Sequence, residues 1–151
     1  MGLQQILMVV LGVIIVGVAI SLGVVMFSGQ AYRSNRTALI SEINDFATLA
    51  FQYWKLPASM GGAGQNPDNI DPAFLASYLG FSESYGKVVS IEYKLQSENG
   101  TYKIDSVVES TITIKALGTE TKGEKHPYIV SEINMLESTI KNTVSDAADF
   151  D

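Results

Sequence analysis

The hydrophobic pattern divides the chain into unlike parts. From Ile6 to Phe27 the sequence reads ILMVVLGVIIVGVAISLGVVMF, with Ser21 as its only polar side chain. About 20 apolar residues span a hydrocarbon core of roughly 30 Å as a helix, so this run is long enough to cross a membrane. A single span must be helical, because lipid offers its backbone no hydrogen-bond partners. A secretory signal has a shorter apolar core and a basic start, and nothing basic precedes this run. A buried helix of a soluble domain fits no better, because the remaining residues would hardly wrap it.

The pattern then changes without a break. In Thr37 to Lys55, Leu39, Ile43, Phe46, Ala50 and Tyr53 recur at steps of three or four, and Ile40, Ala47, Phe51 and Trp54 widen the stripe. Glu42, Asn44, Asp45 and Thr48 fall largely on the other side. This predicts an amphipathic helix with one face to bury. Gly29 is a weak point between the two parts, but no proline appears before Pro57. The expectation is one helix of about 55 residues, roughly 80 Å long. It divides into an apolar part (1–31) and an amphipathic continuation (32–56).

The remainder, 57–151, reads as a small β-rich head. Ser59 to Asn69 is a loop by composition. Asp71 as cap, Pro72 at the first position and Gly80 as the stop predict a short helix over 72–79. Lys87 to Leu95 alternates, with Val89, Ile91, Tyr93 and Leu95 on one face. Asn99-Gly100 is a strong hairpin signal. Ser110, Ile112, Ile114 and Ala116 alternate with Thr111, Thr113 and Lys115. These are half-buried antiparallel strands. Gly118 to Pro127 reads as a polar loop. In Tyr128 to Val144, the spacing of Ile129, Ile133, Leu136, Ile140 and Val144 fits a helix, while the β-branched content suits closing strands; the first half leans to strand. Ser145 to Asp151 reads as an acidic surface tail. The fold class expected is α+β: a long N-terminal helix with a small C-terminal antiparallel head.

Composition sharpens this picture. Charged residues make up 17% of the 151, below the usual quarter. The deficit has one cause: the first charge is Arg33, so all ten basic and sixteen acidic residues lie beyond the apolar helix. A net charge of -6 speaks against a nucleic-acid partner. The absence of cysteine removes disulfides, thiolate metal sites and thiol catalysis, and His126 alone leaves little for imidazole chemistry. His126 itself is read as a surface residue. No nucleophile–base set is apparent, so no enzyme activity and no cofactor are expected. Asp68, Asn69 and Asp71 lack the spacing of a calcium loop, and no metal is expected there. Phe46, Phe51, Tyr53 and Trp54 sit at helical spacing and are expected in the core. Asn35-Arg36-Thr37 and Asn99-Gly100-Thr101 match the N-glycosylation triplet, which makes Asn35 and Asn99 candidate sites. Arg33 and Arg36 follow the apolar run where they could anchor at lipid headgroups; the positive-inside rule would then place the head in the cytoplasm, a vote that a removed basic leader would outweigh.

A long helix, apolar then amphipathic, followed by a small antiparallel sheet resembles a type IV pilin. The resemblance covers the whole architecture, with motif-level detail only in the N-terminal third. It implies a structural subunit of an extracellular filament, a homo-oligomer with helical assembly. It also implies an inner-membrane stage, a prepilin peptidase and pilus assembly machinery as partners, and roles such as adhesion. In that family the first residue after leader cleavage is methylated and the fifth is usually Glu. If Met1 is the mature first residue, it is the processing and methylation site. Gln5 then stands at the register position as a neutral amide, a departure from the family. If Met1 is the initiator, cleavage after Gly2 would expose Leu3 instead. Gly12, Gly17 and Gly23, with the pairs Gly17–Ser21 and Ala19–Gly23, permit close helix packing or local melting. The alternatives are a minor pilin or pseudopilin, a single-pass anchored binding domain, and an archaeal flagellin-like subunit.

Overall fold

A computed structural model describes residues 2–85 and 91–150 of the chain. One unbroken helix, α1 (Leu3–Lys55), runs through Gly29 without interruption. It stops as the proline requires: Leu56, which precedes Pro57, leaves helical geometry with ψ 131°. The loop that follows closes the helix end. The backbone N–H groups of Ala63, Gly64 and Gln65 donate to the carbonyls of Tyr53, Leu56 and Trp54 at 2.8–3.1 Å. Two short 3-10 turns, Ala58–Met60 and Pro67–Asn69, lie in this region.

Helix α2 (Pro72–Tyr78) has the expected punctuation. The Asp71 carboxylate accepts from the Ala73 N–H at 2.9 Å, and Gly80 takes φ +84°, a left-handed conformation that suits glycine. Among the described residues six strands follow: β1 (Ser82–Tyr85), β2 (Ile91–Gln96), β3 (Gly100–Val108), β4 (Thr111–Gly118), β5 (His126–Asn134) and β6 (Thr139–Ala147). They form one antiparallel sheet in sequence order. The fold is therefore α+β, a long apolar-started helix and an antiparallel sheet.

The core lies between the sheet and the C-terminal half of α1. Ile112, Ile114 and Ala116 of β4 point at the helix and are buried, as their alternation predicts. They meet Leu39, Ile43, Ala47 and Ala50, with Tyr102, Ile129 and Ile133 alongside. The Phe46 ring packs between Phe81 and Tyr102 at centroid distances of 5.3 and 5.1 Å, and Tyr53 packs on Tyr78 of α2. Phe46, Phe51, Tyr53 and Trp54 all belong to this core or pack against it.

Several expectations are resolved or corrected. The ambiguity over 128–144 resolves to two strands and a turn, in keeping with the strand expected for its first half: β5 and β6 pair from His126↔Ala147 to Asn134↔Thr139. Asn134 shapes the turn, its Oδ1 accepting from the N–H groups of Leu136 and Glu137 at 3.0 and 3.1 Å. The polar loop ends at Lys125, because β5 begins at His126, and His126 is half-buried in the sheet rather than on a loop surface. Ser145, Asp146 and Ala147 belong to β6, and Phe150 packs edge-on against Tyr128, so the acidic end is not a free tail. Strand β1 went unforeseen. The Asn99-Gly100 hairpin forms, but Gly100 is its first strand residue and has no left-handed φ; the chain reverses over Ser97–Asn99. Val88 and Val89 lie outside the described residues; Tyr93 and Leu95 pack against the core.

Candidate functional site

Every described residue from Gly2 to Ser28 is exposed. The apolar half of α1 touches nothing in its own chain: Leu7, Ile14 and Val25 are 68%, 57% and 69% exposed. It is long and apolar enough to cross a membrane, with mean hydropathy 2.9. Its serine hydroxyls are satisfied within the helix. The Ser21 hydroxyl donates to the Gly17 carbonyl at 2.9 Å, and that of Ser28 to Val25 at 3.0 Å. A span in lipid requires this economy, since an unpaired polar group there costs several kcal/mol.

The glycines do not line a single face. At 3.6 residues per turn, Gly12, Ala19 and Gly23 fall on one side of α1 and Gly17 with Ser21 on roughly the opposite one. A Cβ placed at Gly12, Gly17 or Gly23 meets nothing within 4 Å, so these positions are notches open to a neighbour. Gln5 is exposed near the helix start, and Met1 lies outside the described residues.

The head grips α1 from Tyr32 onward. Tyr32, Asn35, Leu39, Ile43, Ala47, Ala50 and Trp54 are buried at steps of three or four. Three polar groups fasten this stripe. The Tyr32 hydroxyl donates to Asp146 of β6; burial and this carboxylate push its pKa up to about 12. The Asn35 amide donates to the Asn99 carbonyl at 2.7 Å and to Thr119 Oγ1 at 3.4 Å, and its oxygen accepts from the Glu120 N–H. The Glu42 carboxylate accepts from the Ser97 hydroxyl at 2.9 Å and from the Asn99 amide. Burial opposes the charge on Glu42. The donors outweigh it and hold its carboxyl below the usual range, helped by the Tyr102 phenol, which adjoins it without regular hydrogen-bond geometry.

Asn35 and Asn99 are thus brought together at the joint, each with its amide nitrogen engaged. A glycan at either nitrogen would displace a bond that ties helix to head. Sequence reasoning missed Tyr32, Glu42 and Asp146, whose partners lie 55 to 114 residues away. The one local signal was that Tyr32 and Asn35 continue the buried stripe two turns further. Among the described residues there is no group of three or more His, Asp or Glu placed to hold a metal. Comparison of the chain with protein-family models, with curated proteins and with solved structures finds no match in any of the three.

Proposed function

We propose that this chain is the structural subunit of an extracellular type IV pilus-like filament. It has no catalytic role, and it polymerises through the apolar half of α1 after a single-pass stage in the inner membrane. One observation carries the reading: a wholly exposed apolar helix is continuous, with no hinge, with the helix that forms the spine of the head. A span that only tethers a domain needs no such joint. A subunit whose apolar rod must pack at a defined angle against copies of itself does. Mutual burial of the rods contributes about 25 cal/mol per Å² of apolar surface, which gives assembly its direction. Contacts of this head-to-tail kind do not close, and open helical fibres result.

The reading also supplies the partners: a prepilin peptidase acting near Met1, and assembly machinery that draws subunits out of the bilayer. The test is to shear cells that produce this protein, image the released fraction and identify its bands. The chain should dominate the filaments. Its confinement to the membrane fraction would overturn the proposal in favour of an anchored domain, and scarcity within filaments would make it a minor subunit.

A further inference from the structure

We propose that the helix surface around Gly29 and Arg33 binds the phosphate headgroup of an anionic phospholipid while α1 spans the bilayer. The inference rests on the membrane stage of the function proposed above, and not on the filament.

Depth is the first argument. The apolar run ends at Phe27, and the helix rises 1.5 Å per residue, so residues 29–33 stand about 3–9 Å beyond it. With a polar layer adding about 5–7 Å on each side of the hydrocarbon, residues 29–31 stand at headgroup depth and the Arg33 backbone just above it. Helical side chains lean back toward the N-terminus, so Arg33 covers the turn holding Gly29 and Gln30. A concave patch forms there, with Met26 below and Gln30, Arg33, Ser34 and Thr37 around it. Gly29 deepens it, because nothing lies within 4 Å of where its Cβ would be.

Charge is the second argument. Arg33 is the first charged residue of the chain, is exposed, and has no ion-pair partner among the described residues. Arg36, one turn on, differs: it is half-buried and close enough to the Tyr32–Asp146 pair to act on the Tyr32 phenol. Arg36 thus feels the charges of the head, while Arg33 is open to solvent or lipid. Glu98 and Glu120 line the neighbouring cleft, beyond Ser34 toward Asn35, and do not line the patch. Arg33 presents a planar fork of donors suited to a phosphate, with Gln30 and Ser34 offering further donors at its sides.

The test uses the full chain reconstituted in nanodiscs of mixed phosphatidylcholine and phosphatidylglycerol. Native mass spectrometry then counts the lipids that remain bound. The unaltered protein should retain phosphatidylglycerol preferentially. Arg33→Gln should reduce that preference about fivefold, the scale of one basic residue at an anionic surface. Arg36→Gln removes the same charge and should leave most of it. Equal preference in Arg33→Gln and the unaltered protein, or no preference in the unaltered protein, would overturn the inference. Circular dichroism checks that each variant keeps its helix. Failure of the chain to insert at all would instead count against the membrane stage, and a result on lipid is independent of whether filaments form.

Discussion

At the scale of single residues, the joint between helix and head depends on Glu42. Its carboxylate holds Ser97 and Asn99, and the Asn99 carbonyl in turn accepts from Asn35, so one side chain fastens the turn of the β2–β3 hairpin to α1. Because the folded state lowers its pKa, ionised Glu42 stabilises the fold. That contribution is fully present above the unfolded value of about 4.3 and is lost as pH falls through the lower folded value. Glu42→Gln keeps the shape and removes the charge. It should lower stability at neutral pH by about 1 kcal/mol, a figure set by exchanging charged for neutral hydrogen bonds at a half-exposed site. It should also flatten the loss of stability below about pH 4.5. Urea midpoints of the full chain in detergent, measured from pH 3 to 7, check both effects; an unchanged acid limb would remove Glu42 from this role. None of this was legible beforehand. A glutamate on the polar side of a helical wheel reads as solvated, and only the arrival of the β2–β3 hairpin gives it partners.

Between elements, the decisive dimension is how closely α1 approaches the sheet. Gly100 and Gly118 pair across β3 and β4, close to Leu39 and Asn35 of α1. A Cβ at Gly118 would lie 2.2 Å from Asn35 Oδ1 and 2.9 Å from Pro127 Cδ; one at Gly100 would lie 2.4 Å from the Leu117 carbonyl oxygen and 2.8 Å from Leu39 Cδ2. Gly118→Ala should therefore cost about 1–3 kcal/mol by overpacking. The cost should shrink when Asn35→Ala is combined with it, since the nearest clashing atom is then gone; a double-mutant cycle on denaturant midpoints reads this coupling. Strictly additive effects would mean that the helix is not held by this contact. The glycines show what sequence reading reaches and what it does not. Gly80 was readable, because a stop after an apolar turn is a local event. Gly100 was assigned to a turn, yet what leaves it no room for a Cβ is the Leu117 carbonyl across the sheet and Leu39, a residue 61 positions earlier. Strand β4 was legible because one face is buried. Strand β6 was not: it is largely exposed on both faces, so no alternation marks it. Ile140 and Val144, four apart, fit a helix equally well, and pairing with β5 decides the matter.

For the whole molecule, the boundary between the two roles of α1 lies just before Tyr32, and it predicts what can be removed. The apolar rod was legible from composition alone, since an uncharged run of this length has few uses. That the rod and the spine of the head are one helix depended on reading Gly29 as tolerated, and α1 does run through it. No described residue before Tyr32 is buried, so deleting residues 1–28 should leave the head's contacts in place. The first turn of the shortened helix would fray, but the Tyr32–Asp146 bond and the Asn35 contacts would still close its end. A chain from Gly29 to Asp151 should then be monomeric in water without detergent, as judged by size-exclusion chromatography with light scattering. Its melting temperature should lie within a few degrees of that of the full chain in detergent micelles. The full chain without detergent should sediment or polymerise, because its exposed apolar side chains form a patch far larger than a soluble monomer carries. If the shortened chain aggregates or melts much earlier, the head needs the rod for its own stability. The division of α1 into an inward-facing spine and an outward-facing rod would then be wrong. If it behaves as expected, the rod is free of structural duty within its own chain, and its apolar surface is left with no partner there.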